Sequence, residues 1–339
     1  MKKAFVFTLF LFFTAPGAWA EDLRKLALHE GLQPIPANVS ELNKVIGSPD
    51  EKLVELGKKL FFDPRLSKSG LISCNTCHNL ATGGTDGVSA AIGHKWVANP
   101  HHLNSPTVYN SVFNSSQMWD GRFADLEEQA KGPIQAPPEM AAAPELVVSR
   151  LKSIPAYAGE FKSAFAGEKA PLTFDNVAKA IAAFERTLIT PSRFDAFLNG
   201  KGKALSEGEK KGLKLFIDKG CVACHGGIGV GGGSLQPFPV AGKYKYDNLG
   251  DFKGNKNGFV KVPTLRNITN TAPYYHNGAV WTLEEAVTLM GELQLGMRLS
   301  RDEVNNIVAF LKALEGVKPK ITYPVLPSST ADTPKPDAM

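Results

Sequence analysis

Two short stretches of the sequence share one motif: "SCNTCH" at residues 73–78 and "GCVACH" at residues 220–225. Each contains Cys-x-x-Cys-His, and together they use all four cysteines of the 339-residue chain. Paired Cys-x-x-Cys motifs could form a zinc site, a redox dithiol or a disulfide. The histidine directly after the second cysteine instead favours covalent attachment of haem c. Zinc and disulfides remain as alternatives.

The haem interpretation gives each residue of the motif a role. The two cysteines bond the haem vinyl groups as thioethers, and the next residue points its imidazole at the iron. The attachment and ligand residues predicted in this way are Cys74, Cys77, His78, Cys221, Cys224 and His225. Attachment outside the cytoplasm agrees with this use of cysteine, since an oxidising compartment would threaten free thiols. We therefore predict two covalent haems and no spare thiol.

The segments around the motifs recur in the same order. "SPDEKLVELGKKLFFDP" precedes the first motif and "SEGEKKGLKLFIDKG" precedes the second. Both segments begin with Ser-x-x-Glu, which predicts a capping box, and both continue with Gly-x-x-Leu-Phe on a helix. The predicted boxes are Ser48 with Glu51 and Ser206 with Glu209.

A second helix follows each motif at a distance. Ile-x-Ala-Phe-x-x-x-Leu occurs at 181–188 and at 307–314, and its apolar residues recur at helical spacing. We expect the first of these helices to end at Thr190, and the last to begin at Ser300 and end at Gly316. Strand signals are sparse. The chain is therefore predicted to be mainly α, with two tandem cytochrome-c-like domains, each built around one covalent haem c.

The opening "MKKAFVFTLFLFFTAPGAWA" has two lysines, an apolar run too short to span a bilayer with ease, and a small-x-small site. It predicts a signal peptide at 1–20, cleaved after Ala20, and export to a bacterial periplasm. The predicted domains are 21–190 and 191–320, followed by an extended tail at 321–339. No later segment is apolar enough to cross a membrane, and a net charge of +5 is too mild to indicate nucleic-acid binding.

The second axial position of each iron decides function, because His/Met haem carries electrons at raised potential whereas a displaceable ligand lets peroxide reach the iron. Spacing alone does not choose among the candidates, and each has the simpler role of core packing or a solvated loop. The candidates are Met290 and Met297 in the second repeat, and His94, His101, His102, Met118 and Met140 in the first.

Almost all of the predicted mature chain resembles the bacterial di-haem cytochrome c peroxidases. The segments that carry this resemblance are "LGKKLFFDPRLSKSGLISCNTCHNL", "GGTDG", "IGHKW", "NSPTVYNSVFN", "MWDGR", "QAKGPIQAPPEM" and "PTLRNITNTAPYYHNGAVWTLEEAVTLMG". The resemblance implies a periplasmic enzyme that reduces hydrogen peroxide with electrons from a small cytochrome c or cupredoxin. It also implies a homodimer.

The resemblance implies different tasks for the two haems. The N-terminal haem would be the low-potential, peroxide-reacting centre, with His94 as distal ligand in the oxidised resting state. The C-terminal haem would be the high-potential point of electron entry, with Met290 as distal ligand, and Met297 would only pack. Since "TLMG" keeps Met290 where related cofactor-maturing enzymes have tyrosine, the resemblance favours a peroxidase.

The resemblance also implies roles for residues around the haems. Trp119 would lie between them, and Glu139 would be the acid-base carboxylate. Asn104 and the carbonyls of Thr271 and Pro273 would bind calcium. The segment "VANPHHLNSP" is longer than usual for the family. Two other functions stay open: a di-haem electron carrier without chemistry, and a redox or peroxide sensor.

Overall fold

The computed structural model describes residues 16–48 and 50–338, and in that part the chain is mainly helical. The α-helices are α1 (Pro16–His29), α2 (Val39–Ile46), α3 (Glu51–Phe62), α4 (Cys74–Cys77), α5 (Leu126–Gln135), α6 (Pro144–Lys152), α7 (Pro155–Ala164), α8 (Phe174–Glu185), α9 (Arg193–Leu198), α10 (Glu207–Asp218), α11 (Leu283–Gln294) and α12 (Arg301–Lys312). Two short strands, β1 (Leu235–Pro237) and β2 (Phe259–Lys261), pair antiparallel. The predicted fold class is confirmed.

The first half is built on α3 and α8, which cross at a glycine. A Cβ at Gly57 would collide with the carbonyl oxygen of Ala180, so only glycine lets the two backbones come this close. One turn later Phe61 packs edge-on against Phe184, with ring centroids 5.3 Å apart. Both rings are buried in the first hydrophobic core.

The second half repeats this arrangement with α10 and α12. A Cβ at Gly212 would collide with the carbonyl oxygen of Asn306, and Phe216 lies 5.2 Å from Phe310. The same motif positions make the same contacts in both halves. The duplication predicted from the sequence is therefore present in the packing.

A further repeat lies in the loops that follow the cysteine motifs. "PTVYN" at 106–110 and "PTLRN" at 263–267 share Pro-Thr-x-x-Asn. Both asparagines adopt the left-handed conformation, with φ of 61° at Asn110 and 59° at Asn267. Their side-chain amides donate to one acceptor, the buried hydroxyl of Thr190, at 2.7 and 2.8 Å. Thr190 thus joins the two halves.

The two ends of the described chain each pack on the far half. On α1, Leu23 and Ala27 are buried in the second core, although they precede the first haem motif. Residues 321–338 form no helix or strand and run back over the first half. There the guanidinium of Arg150, on a residue only 2 % exposed, donates to the carbonyls of Pro334 and Lys335 at 3.1 and 3.0 Å.

The predicted domain boundaries at 20, 190 and 320 stay predictions. Most of the predicted signal peptide, residues 1–15, lies outside the described residues, and α1 runs through the predicted cleavage point.

The predicted capping boxes are present at two of three helices. Ser206 with Glu209 caps α10, and Ser300 with Glu303 caps α12. The prediction for α3 was wrong, because the helix begins at Glu51 and Asp50 is its N-cap, accepting the backbone N–H groups of Lys52 and Leu53. A carboxylate adjacent to the helix satisfies them more directly than a hydroxyl two residues earlier.

Two predicted helix ends were also wrong. α8 ends at Glu185 rather than at Thr190, and α12 ends at Lys312, before Gly316. Gly316 has another role: a Cβ there would collide with the carbonyl oxygen of Thr190. The glycine therefore permits close approach to the residue that joins the halves.

Candidate haem sites

One open cavity is lined by residues from both halves of the molecule. Its walls are mostly apolar and include residues of both cysteine motifs. The motif residues that line the cavity are Cys77, His78, Cys221, Cys224 and His225. Cys74 lies just behind this wall, packed against the first core.

His78 is oriented by a carbonyl group from the loop repeat. Its Nδ1 lies 3.0 Å from the carbonyl oxygen of Pro106, and the next hydroxyl, on Thr107, donates to Gly83 at 2.7 Å. Donation by Nδ1 leaves Nε2 unprotonated, which is the state a metal ligand requires. Burial lowers the pKa of His78, so the neutral ring is favoured.

His225 occupies the matching position in the second half. Thr264, the counterpart of Thr107, donates to the carbonyl of Gly229 at 2.6 Å. Burial lowers the pKa of His225 to about 4. Its Nδ1 is buried without a hydrogen-bond partner of normal geometry. Both imidazoles line the cavity, and burial favours the neutral form of each.

The cavity residues fit covalent haem better than the alternatives. The four cysteines form no disulfide, and burial raises the pKa of Cys77 to about 12 and of Cys221 to about 11. Residues 16–48 and 50–338 contain no cluster of three His, Cys, Asp or Glu side chains suited to a metal ion.

A buried lysine supports the same conclusion. Lys261, on β2, lines the cavity and is 6 % exposed, and no described residue accepts a hydrogen bond from its amine. Burial lowers its pKa to about 8, while the charge of Asp120 opposes this shift. A cation in this position suits an anionic ligand, and haem carries carboxylates.

Glu139 projects into the cavity from the turn after α5. Its backbone N–H donates to the carbonyl of Ala136 at 3.0 Å, which fixes the turn. The side chain is half-buried, and none of the described residues donates a hydrogen bond to its carboxylate. Burial raises the pKa of Glu139, and the charge of Arg122 lowers it in part. The charge of Glu139 also raises the pKa of Cys77, so the carboxylate lies near the first motif.

His94 lies beside the cavity rather than in its wall. Gly93 lines the cavity, whereas the imidazole of His94 lies in the electrostatic field of Lys95, Lys68 and Asp337. Burial and the two lysines lower the pKa of His94. Asp337, near the end of the tail, pairs with Lys68 at 3.1 Å and with Lys95 at 3.2 Å. The tail thus contacts the segment that carries His94.

The remaining ligand candidates of the first half differ in whether they are exposed, buried in the core or line the cavity. His101 is exposed and pairs with Asp251 at 2.9 Å, so the long segment contacts the second half through its surface. His102, its neighbour, has a φ of 52°. Met140 is buried in the first core, and Met118 lines the cavity with its sulfur 4.0 Å from a nitrogen of Gln129.

The two candidate methionines of the second half also differ in whether they line the cavity. Met290, on α11, lines the cavity. Met297 is packed against the second core, and its backbone N–H donates to Gly291. The arrangement favours Met290 over Met297 as a group that faces a haem.

Reciprocal hydrogen bonds connect the halves at the middle of the cavity. Trp119 donates its indole N–H to the carbonyl of Asn104 at 2.9 Å. The backbone N–H of Asn104 donates to His276 at 2.8 Å, and that of Lys261 donates to Trp119 at 2.7 Å. Trp119 and His276 meet edge to face, with ring centroids 6.4 Å apart.

The residues of the predicted calcium site line the same region. Asn104 donates its side-chain amide to Val88 at 2.8 Å, which leaves its Oδ1 facing away. Thr271 and Pro273 also contribute to the cavity wall. Within the described residues, neither their carbonyls nor the Oδ1 atom accepts a hydrogen bond.

Sequence reasoning missed two cavity residues, Lys261 and Glu185. A signal for both was present in the repeats. Aligning Pro-Thr-x-x-Asn places Lys261 opposite Asn104, and aligning Ile-x-Ala-Phe places Glu185 opposite Leu311. Charged residues at such cavity-facing positions mark a difference between the two halves.

Two cytochrome-c-like halves, each with its own Cys-x-x-Cys-His motif on a shared cavity, define a di-haem protein of the cytochrome c type. The profile of the di-haem cytochrome c peroxidase family matches residues 51–203, and that of cytochrome c matches 209–315. The chain belongs to the di-haem cytochrome c peroxidase family. No helix in the described residues is long and apolar enough to cross a membrane.

Named relatives agree with this assignment. Cytochrome c551 peroxidase of Pseudomonas aeruginosa is 49 % identical, over 97 % of this chain and 96 % of its own. The protein of the same name from Nitrosomonas europaea is 47 % identical, over 94 % of each chain. Among solved structures, a MauG-like protein associated with microbial copper homeostasis superposes with a TM-score of 0.71 at 28 % identity, over 84 % of this chain and 93 % of that one.

Proposed function

We propose that the protein is a periplasmic peroxidase that reduces hydrogen peroxide to water, using electrons delivered singly by a small cytochrome c or a cupredoxin. The observation that carries the proposal is the carboxylate of Glu139, which faces the cavity beside the first cysteine motif without a hydrogen-bond partner among the described residues. Family membership and the names of the relatives support the same reaction.

The residues proposed to attach haem c and to ligate its iron are Cys74, Cys77 and His78 in the first half, and Cys221, Cys224, His225 and Met290 in the second. Haem c, when bound, supplies the one-electron redox chemistry that peroxide reduction requires. The protein's own part is to hold the imidazoles neutral, to exclude water with an apolar wall, and to move protons.

Glu139 is the proposed proton carrier. Hydrogen peroxide must lose a proton as it binds, and the departing oxygen must gain one, so a single carboxylate can act first as base and then as acid. Burial raises the pKa of Glu139 and so brings it closer to neutral pH, where a group can exchange protons in both directions.

We assign the two halves different tasks. The second half would accept electrons, because Met290 faces its part of the cavity and thioether ligation raises a haem potential. The first half would react with peroxide, because Glu139 lies there. The carbonyl of Trp119 accepts a hydrogen bond from the backbone N–H of Lys261 in the second half, so Trp119 would connect the two centres.

His94 is proposed to be a displaceable ligand of the first half. Gly93, the residue before it, packs against the carbonyl of Pro138 and lines the cavity, and the Nδ1 atom of His94 is buried without a hydrogen-bond partner among the described residues. Calcium bound by Asn104, Thr271 and Pro273 would bias the arrangement of the halves, because these oxygen donors come from both repeats. We further propose that two copies of the chain form the active dimer.

Steady-state turnover tests the proposed function. Protein carrying two haems, as checked by intact mass and the absence of free thiol, is mixed with a reduced donor cytochrome and hydrogen peroxide. Oxidation of two donor molecules per peroxide supports a peroxidase. Haem loading and reversible reduction without peroxide consumption would instead indicate an electron carrier or a sensor.

A further inference from the structure

The two repeats differ in charge at one position that faces the cavity. The Ile-x-Ala-Phe motif places Glu185 in the first half where Leu311 stands in the second, and both side chains line the cavity. The first half thus carries an ionisable group where the second carries hydrocarbon. Since the helix pairs superimpose in their contacts, this difference is one of chemistry rather than of fold.

Glu185 is buried without a partner. It is 5 % exposed, its Oε2 is buried without a hydrogen bond, and none of the described residues donates to either oxygen. An isolated carboxylate in such surroundings is strongly disfavoured. Burial accordingly raises the pKa of Glu185 to about 8, and the charge of Arg186 opposes the shift.

The charged groups on the helices around α8 have other partners. Charged groups on α3, α5 and α6 and at the ends of α8 form the pairs Lys58–Glu55, Lys59–Glu160, Lys131–Asp175 and Arg186–Glu127, while Arg150 binds backbone carbonyls. The group that lies beside Glu185 is the attachment residue Cys74, whose pKa the charge of Glu185 raises. A haem held by Cys74 would therefore be the nearest variable charge.

We propose that Glu185 takes up one proton when the haem of the first half gains one electron, so that the reduction potential of this haem falls as the pH rises. The electron comes from the donor and the proton from solvent, and the carboxylate becomes a carboxylic acid. The added electron removes one positive charge from beside the carboxylate, which favours its protonated form. Leu311 gives the second half no such group.

Proton uptake by Glu185 would store a proton in the first half. Peroxide reduction consumes protons, and Glu185 would bring one into the first half before peroxide arrives. The inference rests on haem attachment at Cys74 but not on peroxidase turnover. A protein that binds both haems and fails to reduce peroxide would overturn the proposed function and leave this inference open to its own test.

Spectroelectrochemical titration of the protein with both haems, without peroxide, measures the potential of each haem against pH. In the parent protein the potential of the first haem should fall across the neutral and alkaline range by up to about 59 mV per pH unit, the value for one proton per electron. Glu185→Gln should decrease the slope of the first haem's potential against pH. Leu311→Glu should give the potential of the second haem an additional pH dependence that it lacks in the parent protein. Haem carboxylates and Glu139, which also lines the cavity beside the first motif, titrate in every variant and cancel from the comparison.

An unchanged slope in Glu185→Gln would overturn the inference. Infrared difference spectra of the parent protein provide a second test if that variant loads haem poorly. Reduction of the first haem should produce a protonated-carboxyl band, and Glu185→Asp should shift it. Absence of the band, or a band that Glu185→Asp does not move, would equally contradict the proposal.

Discussion

Asn110 and Asn267 donate their side-chain amides to the same hydroxyl, that of Thr190, from opposite halves of the molecule. The asparagines hold equivalent places in the two Pro-Thr-x-x-Asn segments, but one threonine serves both. One threonine of the first half therefore bonds to both loops, and it fixes the loop whose Pro106 carbonyl orients His78.

Replacing Thr190 with valine should destabilise the whole molecule. Two buried amides would lose their acceptor, and each unsatisfied group costs about 1–3 kcal/mol. Thr190→Ser keeps the hydroxyl and should retain most of the stability. Thermal unfolding of both variants with haem bound makes the comparison, and equal stability of Thr190→Val and the parent would contradict the assigned role.

Shortening the tail should destabilise the first half. A chain that stops before residue 327 removes the carbonyls of Pro334 and Lys335 from the buried guanidinium of Arg150. Since hydrogen bonds to charged groups contribute about 1.5–3 kcal/mol each, the loss should appear as a clearly lower midpoint of thermal unfolding.

Arg150→Met provides the matched control for this truncation, because it removes the buried charge that the tail satisfies. Truncation in the Arg150→Met background should then cost less than truncation in the parent chain. Equal losses in the two backgrounds would show that the tail stabilises the protein by some other contact.

Sequence patterns predicted the parts of this protein that depend on local chemistry. Cys-x-x-Cys-His and Gly-x-x-Leu-Phe identified the repeated unit, and the structure shows that Gly57 and Gly212 make the same close helix contact in the two halves. The capping boxes at Ser206 and Ser300 are local patterns and are present as predicted. At α3 the N-cap is Asp50, which is closer to the helix than Ser48.

Contacts between distant segments were beyond sequence reasoning. No local pattern shows that α1 packs on the second core or that the tail covers the first half. The cavity-facing charges of Lys261 and Glu185 were also missed, because a helical or strand position alone does not show which groups will lack a partner. The repeat alignment could have exposed both residues.

Met290→His should lower the potential of the C-terminal haem and slow electron entry, because imidazole stabilises ferric iron more than a thioether does. Redox titration and the rate of reduction by the donor cytochrome measure this. Met297 packs on the second core and does not line the cavity, so Met297→His is the matched control. A potential that drops only in the Met297 variant would reverse the assignment.

His94→Gly should produce activity in the fully oxidised protein without prior reduction, because it removes the ligand proposed to block the first haem. The resting absorption and EPR spectra should change from low-spin to high-spin. His101→Gly, which breaks only the surface pair with Asp251, should behave like the parent. A low-spin spectrum that persists in His94→Gly would implicate another ligand.

The most direct measurement is rapid mixing of Glu139→Gln, with its electron-entry haem already reduced, against hydrogen peroxide. The parent reaction should become faster as pH rises through the elevated pKa of Glu139, because only the ionised carboxylate can accept the first proton. The variant should keep both haem spectra and accept its first electron normally, yet react about a hundredfold more slowly and without this pH dependence. Glu145→Gln, at an exposed carboxylate on α6, should match the parent. A Glu139→Gln protein that reacts at the parent rate would contradict the assignment of this carboxylate as the proton carrier.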